Sequence, residues 1–263
     1  MNMSAKEVAL FTAGAIAGAA VLVAANEKYN VIELAKEQIK KLKPKPAGNR
    51  MQCSITGGEA TGTASACAGC PNQKACASGE TPPVDPSILQ VQEKLADVKH
   101  KILVLSGKGG VGKSTTAVNI ALALAGEGSN VGILDADIYG PSIPRMLGLS
   151  GQPDSQDGKS LEPMENHGLQ AMSIGFLIDE ETPMIWRGPM VTQALEQLLT
   201  DTQWRELDYL IIDLPPGTGD VQLTLAQKIP VSGSIIVTTP QNIALLDARK
   251  GLKMFEKVEV PVL

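Results

Sequence analysis

The chain has 263 residues, of which 43% are apolar and only 3% aromatic, so its core must be built mainly from aliphatic side chains. This length suits one sizeable α/β domain with an appendage, or two small domains. The net charge of −5 argues against a nucleic-acid binder, because a phosphate backbone calls for a surplus of Lys and Arg.

The first 46 residues are predicted to form an apolar and basic helical leader. Residues 8–26 carry no charge, and as a helix they would extend about 28 Å, barely the thickness of a bilayer core. Many of them are Ala, which gains little on transfer to lipid, so a membrane anchor and a buried or loosely ordered helix both stay open. If residues 8–26 span a membrane, the Lys-rich amphipathic helix expected over residues 27–42 would place the rest of the chain on its cytoplasmic side. The expected location is the cytoplasm, with or without a tether to the membrane's cytoplasmic face.

Residues 47–86 form a Gly-, Ser- and Pro-rich segment that contains every cysteine of the chain. The spacing is C-x13-C-x2-C-x5-C, with the thiols at Cys53, Cys67, Cys70 and Cys76. A tight cluster of this kind, in a chain without other cysteines, is typical of metal binding in a reducing compartment. Four thiolates suit either an iron–sulfur cluster or zinc.

Residues 87–263 are predicted to form an α/β domain with a mainly parallel sheet. Short apolar runs alternate with helix-length segments, which is the pattern of a parallel sheet covered on both faces. Helices are expected over residues 87–98 and 115–125. Strands are expected over residues 102–105, 131–134, 210–212, 235–237 and 260–263.

A phosphate-binding loop follows the first predicted strand. Residues 107–114 read GKGGVGKS and match G-x-x-x-x-G-K-[ST] between a strand and a helix, which is the context this motif requires. Lys113 is expected to neutralise the β- and γ-phosphates of ATP, and Ser114 to bind Mg²⁺. The predicted nucleotide-binding residues of the loop are Gly107, Lys108, Gly109, Gly110, Val111, Gly112, Lys113, Ser114 and Thr115.

Carboxylates stand at the ends of two further predicted strands, where an α/β sheet gathers its site. Asp213 ends an apolar run and is predicted to hold Mg²⁺, usually through water. Asp137 is predicted to orient the hydrolytic water, and Asp135 to support the metal shell. The alternative for Asp135 is a helix N-cap.

Lys108, at the start of the loop, gives the chain a resemblance to the deviant Walker A ATPases, a P-loop NTPase group that includes MinD, ParA, ArsA and the nitrogenase iron protein. In that group this lysine reaches the nucleotide of the partner subunit. The resemblance therefore implies ATP-dependent dimerisation and a catalytic role for Lys108 beside Lys113.

Four segments narrow the resemblance to the Mrp/Nbp35 (ApbC) family of iron–sulfur cluster carrier ATPases. They are DADIYGPSIP at residues 135–144, MIWRGPM at 184–190, DLPPGTGD at 213–220 and TTPQ at 238–241. Residues 67–76 resemble the N-terminal motif of the Nbp35 branch, which implies a [4Fe–4S] cluster on the four cysteines. The family continues past the last predicted strand into a C-x-x-C segment, so the chain is expected to be C-terminally incomplete.

The resemblance implies a slow ATPase that carries a [4Fe–4S] cluster to apo-proteins, acting as a homodimer or with a related ATPase. The alternative is a MinD- or ParA-like switch that associates with a membrane through residues 8–26. The apolar leader favours the alternative, whereas the cysteines and the PPGTGD run favour the carrier.

Overall fold

A computed structural model describes residues 86–177, 188–217 and 219–263 of the chain. The predicted leader, the four cysteines and most of the MIWRGPM segment lie outside these ranges. Within them, no helix is long and apolar enough to cross a membrane.

The helices are α1 (Pro86–Lys94), α2 (Lys113–Gly126), α3 (Ile143–Met146), α4 (Gly188–Asp201), α5 (Asp220–Lys228) and α6 (Asn242–Lys257), with a 3₁₀ turn at Ile174–Phe176. The strands are β1 (His100–Leu105), β2 (Val131–Asp135), β3 (Met164–Asn166), β4 (Leu169–Ser173), β5 (Tyr209–Asp213) and β6 (Gly233–Ile236).

The strands form one six-stranded sheet in the order β3-β4-β2-β5-β1-β6. Every pairing except β3 with β4 is parallel, which confirms the predicted α/β fold with a mainly parallel sheet. β5 lies between β1 and β2, and the register places Asp135 directly opposite Asp213. Both carboxylates therefore emerge side by side at the carboxyl edge of the sheet, next to the loop that follows β1.

Both faces of the sheet are covered, as the continuous apolar strands predict. Alternate residues of β1 point to opposite faces: Leu103 and Leu105 join one apolar cluster, and Ile102 and Val104 join the other. The first cluster includes side chains of α1, α4 and α5, and the second includes side chains of α2 and α3. The two apolar clusters therefore bury the central strands on both faces, and the site lies at the carboxyl edge of these strands.

The structure differs from the sequence prediction in three elements. The β3–β4 hairpin was not predicted, because β3 has only three residues and β4 mixes Gln170 into its apolar pattern. Residues 260–263 form only an isolated parallel bridge with β6, between Ser234 and Val262. The first helix ends at Lys94 and not at residue 98 as predicted. A turn follows it, and the buried Lys101 ammonium donates hydrogen bonds to the carbonyls of that turn.

Candidate nucleotide site

The loop between β1 and α2 has the backbone of an anion cradle. Gly110 and Gly112 adopt φ angles of 77° and 89°, the left-handed region in which a side chain is strained. Gly112 is the N-cap of α2, so the loop runs straight into the positive end of the helix dipole. A Cβ on Gly107 would lie 2.7 Å from the backbone of Asp247 in α6, so any side chain there would push the loop and helix apart.

Lys113 lies at the centre of the site and is almost fully buried. Its ammonium is 2.7 Å from Asp213 Oδ1, 3.3 Å from Asp137 Oδ2 and 3.3 Å from the Ser114 hydroxyl. One cation therefore faces two carboxylates, one at the end of β5 and one in the turn after β2. The structure thus brings together the predicted lysine, the predicted Mg²⁺ residues and the predicted water-orienting residue.

Two carboxylate oxygens in this cluster are buried without a hydrogen-bond partner in the described part of the chain: Asp213 Oδ2 and Asp137 Oδ1. Burial raises the pKa of Asp213 even though Lys113 lies beside it and acts in the opposite direction. Unpartnered, buried acceptors beside the Ser114 hydroxyl suit a hard cation and its water ligands. No three His, Cys, Asp or Glu residues among those described form a ready metal cage, so phosphate oxygens would have to complete the Mg²⁺ shell.

Both oxygens of Asp135 already have donors. Oδ1 accepts from the Asp137 amide at 3.2 Å, and Oδ2 accepts from the Ile143 amide at 3.1 Å and the Ser173 hydroxyl at 3.2 Å. The N-cap of α3 is Ser142, so the N-cap alternative for Asp135 is wrong, although Asp135 accepts from the amide of Ile143, the first residue of that helix. Asp135 thereby fixes the turn that carries Asp137, and its support of the metal shell stays a prediction.

The buried Asp135 predicts a pH dependence of stability. Burial and the negative charge of Asp213 raise the pKa of Asp135 from 3.8 to about 7. Because the folded state binds this proton more tightly than the unfolded state, the stabilising contribution of protonation is lost as the pH rises through 7. Burial lowers the pKa of His100, whose titration acts in the opposite direction below 6.5. We expect the free energy of unfolding of the nucleotide-free protein to fall between pH 6.5 and pH 8 in urea titrations.

The matched variant for this measurement is Asp135→Asn, which carries no titrating group. Its free energy of unfolding should change less between pH 6.5 and pH 8 than that of the wild type. An equal decrease in both proteins would show that another group is responsible.

The remaining predicted residues have clear places. Lys108 is exposed and forms no ion pair with any residue that the structure describes, so its role across a dimer interface stays a prediction. Gly109 and Gly110 are exposed, Val111 is buried, and Thr115 is half-buried in the first turn of α2.

Sequence reasoning missed two buried residues that organise the site. Ser173 donates to Asp135, but its strand was not predicted and no local signal marks it. Gln222 binds the backbone of the segment after Asp213, and its place three residues after the N-cap Gly219 is a signal that could have been used.

A phosphate loop between β1 and α2, with carboxylates at the ends of β5 and β2, defines a P-loop NTPase. The family model described as "ParA: NUBPL iron-transfer P-loop NTPase" matches residues 97–263. The chain belongs to this family.

Close relatives agree with this assignment. An iron–sulfur cluster carrier protein of Pseudomonas fragi is 65% identical over 171 residues, which cover 64% of this chain and 60% of the relative. The iron–sulfur cluster transfer protein NUBPL of mouse is 56% identical over 177 residues, which cover 66% of this chain and 56% of the relative. The chain therefore spans little more than half the length of these relatives.

One solved structure supports the nucleotide site in particular. A nucleotide-binding protein of Archaeoglobus fulgidus in complex with ADP is 40% identical, with a TM-score of 0.58 over 67% of this chain and 69% of that protein. The fold is thus shared with a protein whose structure was solved in complex with ADP.

Proposed function

We propose that the protein is an ATP-dependent carrier that binds a [4Fe–4S] cluster on Cys53, Cys67, Cys70 and Cys76 and transfers it to apo-proteins. The observation that carries this proposal is the combination of a preformed P-loop site with a four-cysteine segment on one chain. The names of the relatives from Pseudomonas fragi and mouse support the carrier over a MinD-like membrane switch.

The residues of the site have distinct parts in ATP binding. Without nucleotide, the Lys113 ammonium pairs with Asp213 and Asp137. When ATP binds, its phosphates would replace these carboxylates as partners of the ammonium. Ser114 and Asp213 would hold Mg²⁺, which draws electron density from the phosphate oxygens. Asp137 would then be free to orient the attacking water. We propose that hydrolysis is slow and that it alters the assembly that holds the cluster.

The assembly is a further part of the proposal. Lys108 is exposed at the start of the loop, where it could reach the nucleotide of a second subunit. We propose a homodimer, or a heteromer with a related ATPase, in the cytoplasm. Residues 1–46 would form the leader, 47–86 the cluster segment and 87–263 the ATPase domain.

Anaerobic reconstitution with iron and sulfide tests the cluster directly. The wild-type chain should retain about four irons and four sulfides per cluster after desalting. The Cys67→Ser/Cys70→Ser variant should lose them, because two of the four thiolates are gone, while it still binds ADP. Transfer is checked by activation of an apo iron–sulfur enzyme. Stable binding of one zinc without sulfide would contradict the carrier function.

A further inference from the structure

We propose that Gln222 is a positioning residue that holds the loop after Asp213 in place for ATP hydrolysis; the inference rests on the nucleotide function proposed above. Gln222 is buried with 4% exposure in the first turn of α5. A buried side-chain amide must satisfy its donors and acceptor within the protein. Within the described residues, all of its hydrogen bonds go to the backbone around the loop.

The contacts of Gln222 join the loop to the helix. Its Nε2 group donates to the carbonyls of Pro215 at 3.0 Å and Pro216 at 3.2 Å, and its Oε1 accepts from the Gly219 amide at 3.0 Å. The orientation of the amide is unambiguous, because a carbonyl cannot donate and an amide N–H cannot accept. The side chain therefore joins three backbone positions through a single amide group.

The carbonyl groups of the loop after Asp213 need a hydrogen-bond donor from outside the loop. We call residues 214–217 the proline loop; it leads from Asp213, the partner of Lys113, toward α5. Pro215 and Pro216 have no N–H, so they cannot donate hydrogen bonds that would hold the turn. Two hydrogen bonds fix the loop to β1 and to the residue that follows it: Leu214 N to Val104 O at 2.9 Å and Gly217 N to Ser106 O at 2.7 Å. Ser106 directly precedes the phosphate loop.

The proline loop thus lies between the phosphate loop and α5, and Gln222 fixes its α5 side. Gly217 adopts a φ of 114° and has no Cβ to restrict its backbone, so it would be free to rotate if the neighbouring carbonyls were released. A loop that is already in place need not reorganise when charge develops on the terminal phosphate. Gln222 therefore acts on hydrolysis through the loop, without contacting the nucleotide itself.

A helix-capping role alone is the competing explanation, and the chain offers a way to separate the two. Gln222 stands at the third helical position, where Gln and Glu cap the helix equally well through the side-chain oxygen. Gln222→Glu keeps the acceptor for Gly219 but places a carboxylate opposite the carbonyls of Pro215 and Pro216. Gln222→Met removes both kinds of contact at similar volume. Gln227, exposed on the same helix, supplies the controls Gln227→Glu and Gln227→Met.

The test compares kcat for ATP and affinity for ADP and for ADP–beryllium fluoride, which mimics the terminal phosphate, at pH 8. We expect Gln222→Glu and Gln222→Met to lower kcat about 10- to 100-fold, since small misplacements near the reacting atoms have effects of this size. Their ADP affinity should stay within about twofold, and their preference for ADP–beryllium fluoride over ADP should be lost. Both Gln227 variants should match the wild type.

Four results would overturn the inference. If Gln222→Glu behaves like the wild type while Gln222→Met does not, the residue only caps the helix. If kcat and ADP affinity fall together, the site as a whole is disturbed. If the wild-type chain binds neither ADP nor ADP–beryllium fluoride, the nucleotide function fails and this inference fails with it. If the wild type prefers ADP–beryllium fluoride and the Gln222 variants show the same preference, only this inference is contradicted.

Discussion

Lys113→Met is expected to weaken ATP binding about 100-fold or more. The ammonium is the central cation of the site, and each hydrogen bond to a charged partner contributes about 1.5–3 kcal/mol. Lys113 lies 2.7 Å from Asp213 Oδ1 in the nucleotide-free protein, so it is already placed at the carboxyl edge where the phosphates would lie. Isothermal titration calorimetry with ATP and Mg²⁺ measures the loss.

The same substitution should also destabilise the protein without nucleotide. Asp213 has no exposed surface, and removal of its partner leaves a buried carboxylate uncompensated. Breaking a buried pair in this way costs about 3–5 kcal/mol. The double variant Lys113→Met/Asp213→Asn should recover much of this stability in urea denaturation, because it removes the stranded charge, yet it should not recover ATP binding.

Lys108→Met is the matched control, since Lys108 is a second lysine of the same loop but is exposed. Its free energy of unfolding should stay within about 0.5 kcal/mol of the wild type. Unchanged ATP affinity in a folded Lys113→Met protein would rule out the proposed site.

The phosphate loop could be predicted from sequence because its chemistry is local. The glycines, Lys113 and Ser114 are consecutive, and the apolar strand before them sets the position of the loop in the fold. Asp213 could be predicted equally well, because the buried apolar run that it ends is continuous. These features depend on backbone geometry over a few residues, and a motif records that geometry directly.

The contacts between segments could not be predicted in the same way. The pairing of Asp135 with Ser173 depends on the place of β4 beside β2, which the sequence pattern did not reveal. The contacts of Gln222 depend on how far the proline loop turns back toward α5. The shift in the pKa of Asp135 also has a tertiary cause, because it requires burial and the neighbouring Asp213.

Asp137→Asn is expected to lower the rate of ATP hydrolysis about 10²- to 10⁴-fold, the usual range for loss of a general base or water-orienting carboxylate. Asp137 is buried beside Lys113, and its Oδ1 has no partner in the described part of the chain. That oxygen is therefore an unused acceptor, which the hydrolytic water would fill when nucleotide is bound. Asparagine keeps the shape of the side chain but removes its charge and basicity, so the chemical step should suffer while the fold persists.

The affinity of Asp137→Asn for nucleotide should stay unchanged or increase slightly. The Asp137 carboxylate lies 3.3 Å from Lys113 and competes with phosphate for the same ammonium, so its neutralisation should leave ADP binding unchanged or slightly tighter. Single-turnover hydrolysis and ADP titration measure the two effects separately. Asp208→Asn is the control, because Asp208 pairs with Lys99 just before β5, at the opposite edge of the sheet. If Asp137→Asn hydrolyses ATP at the wild-type rate, another group must orient the water, and Asp137 serves only as a partner of Lys113.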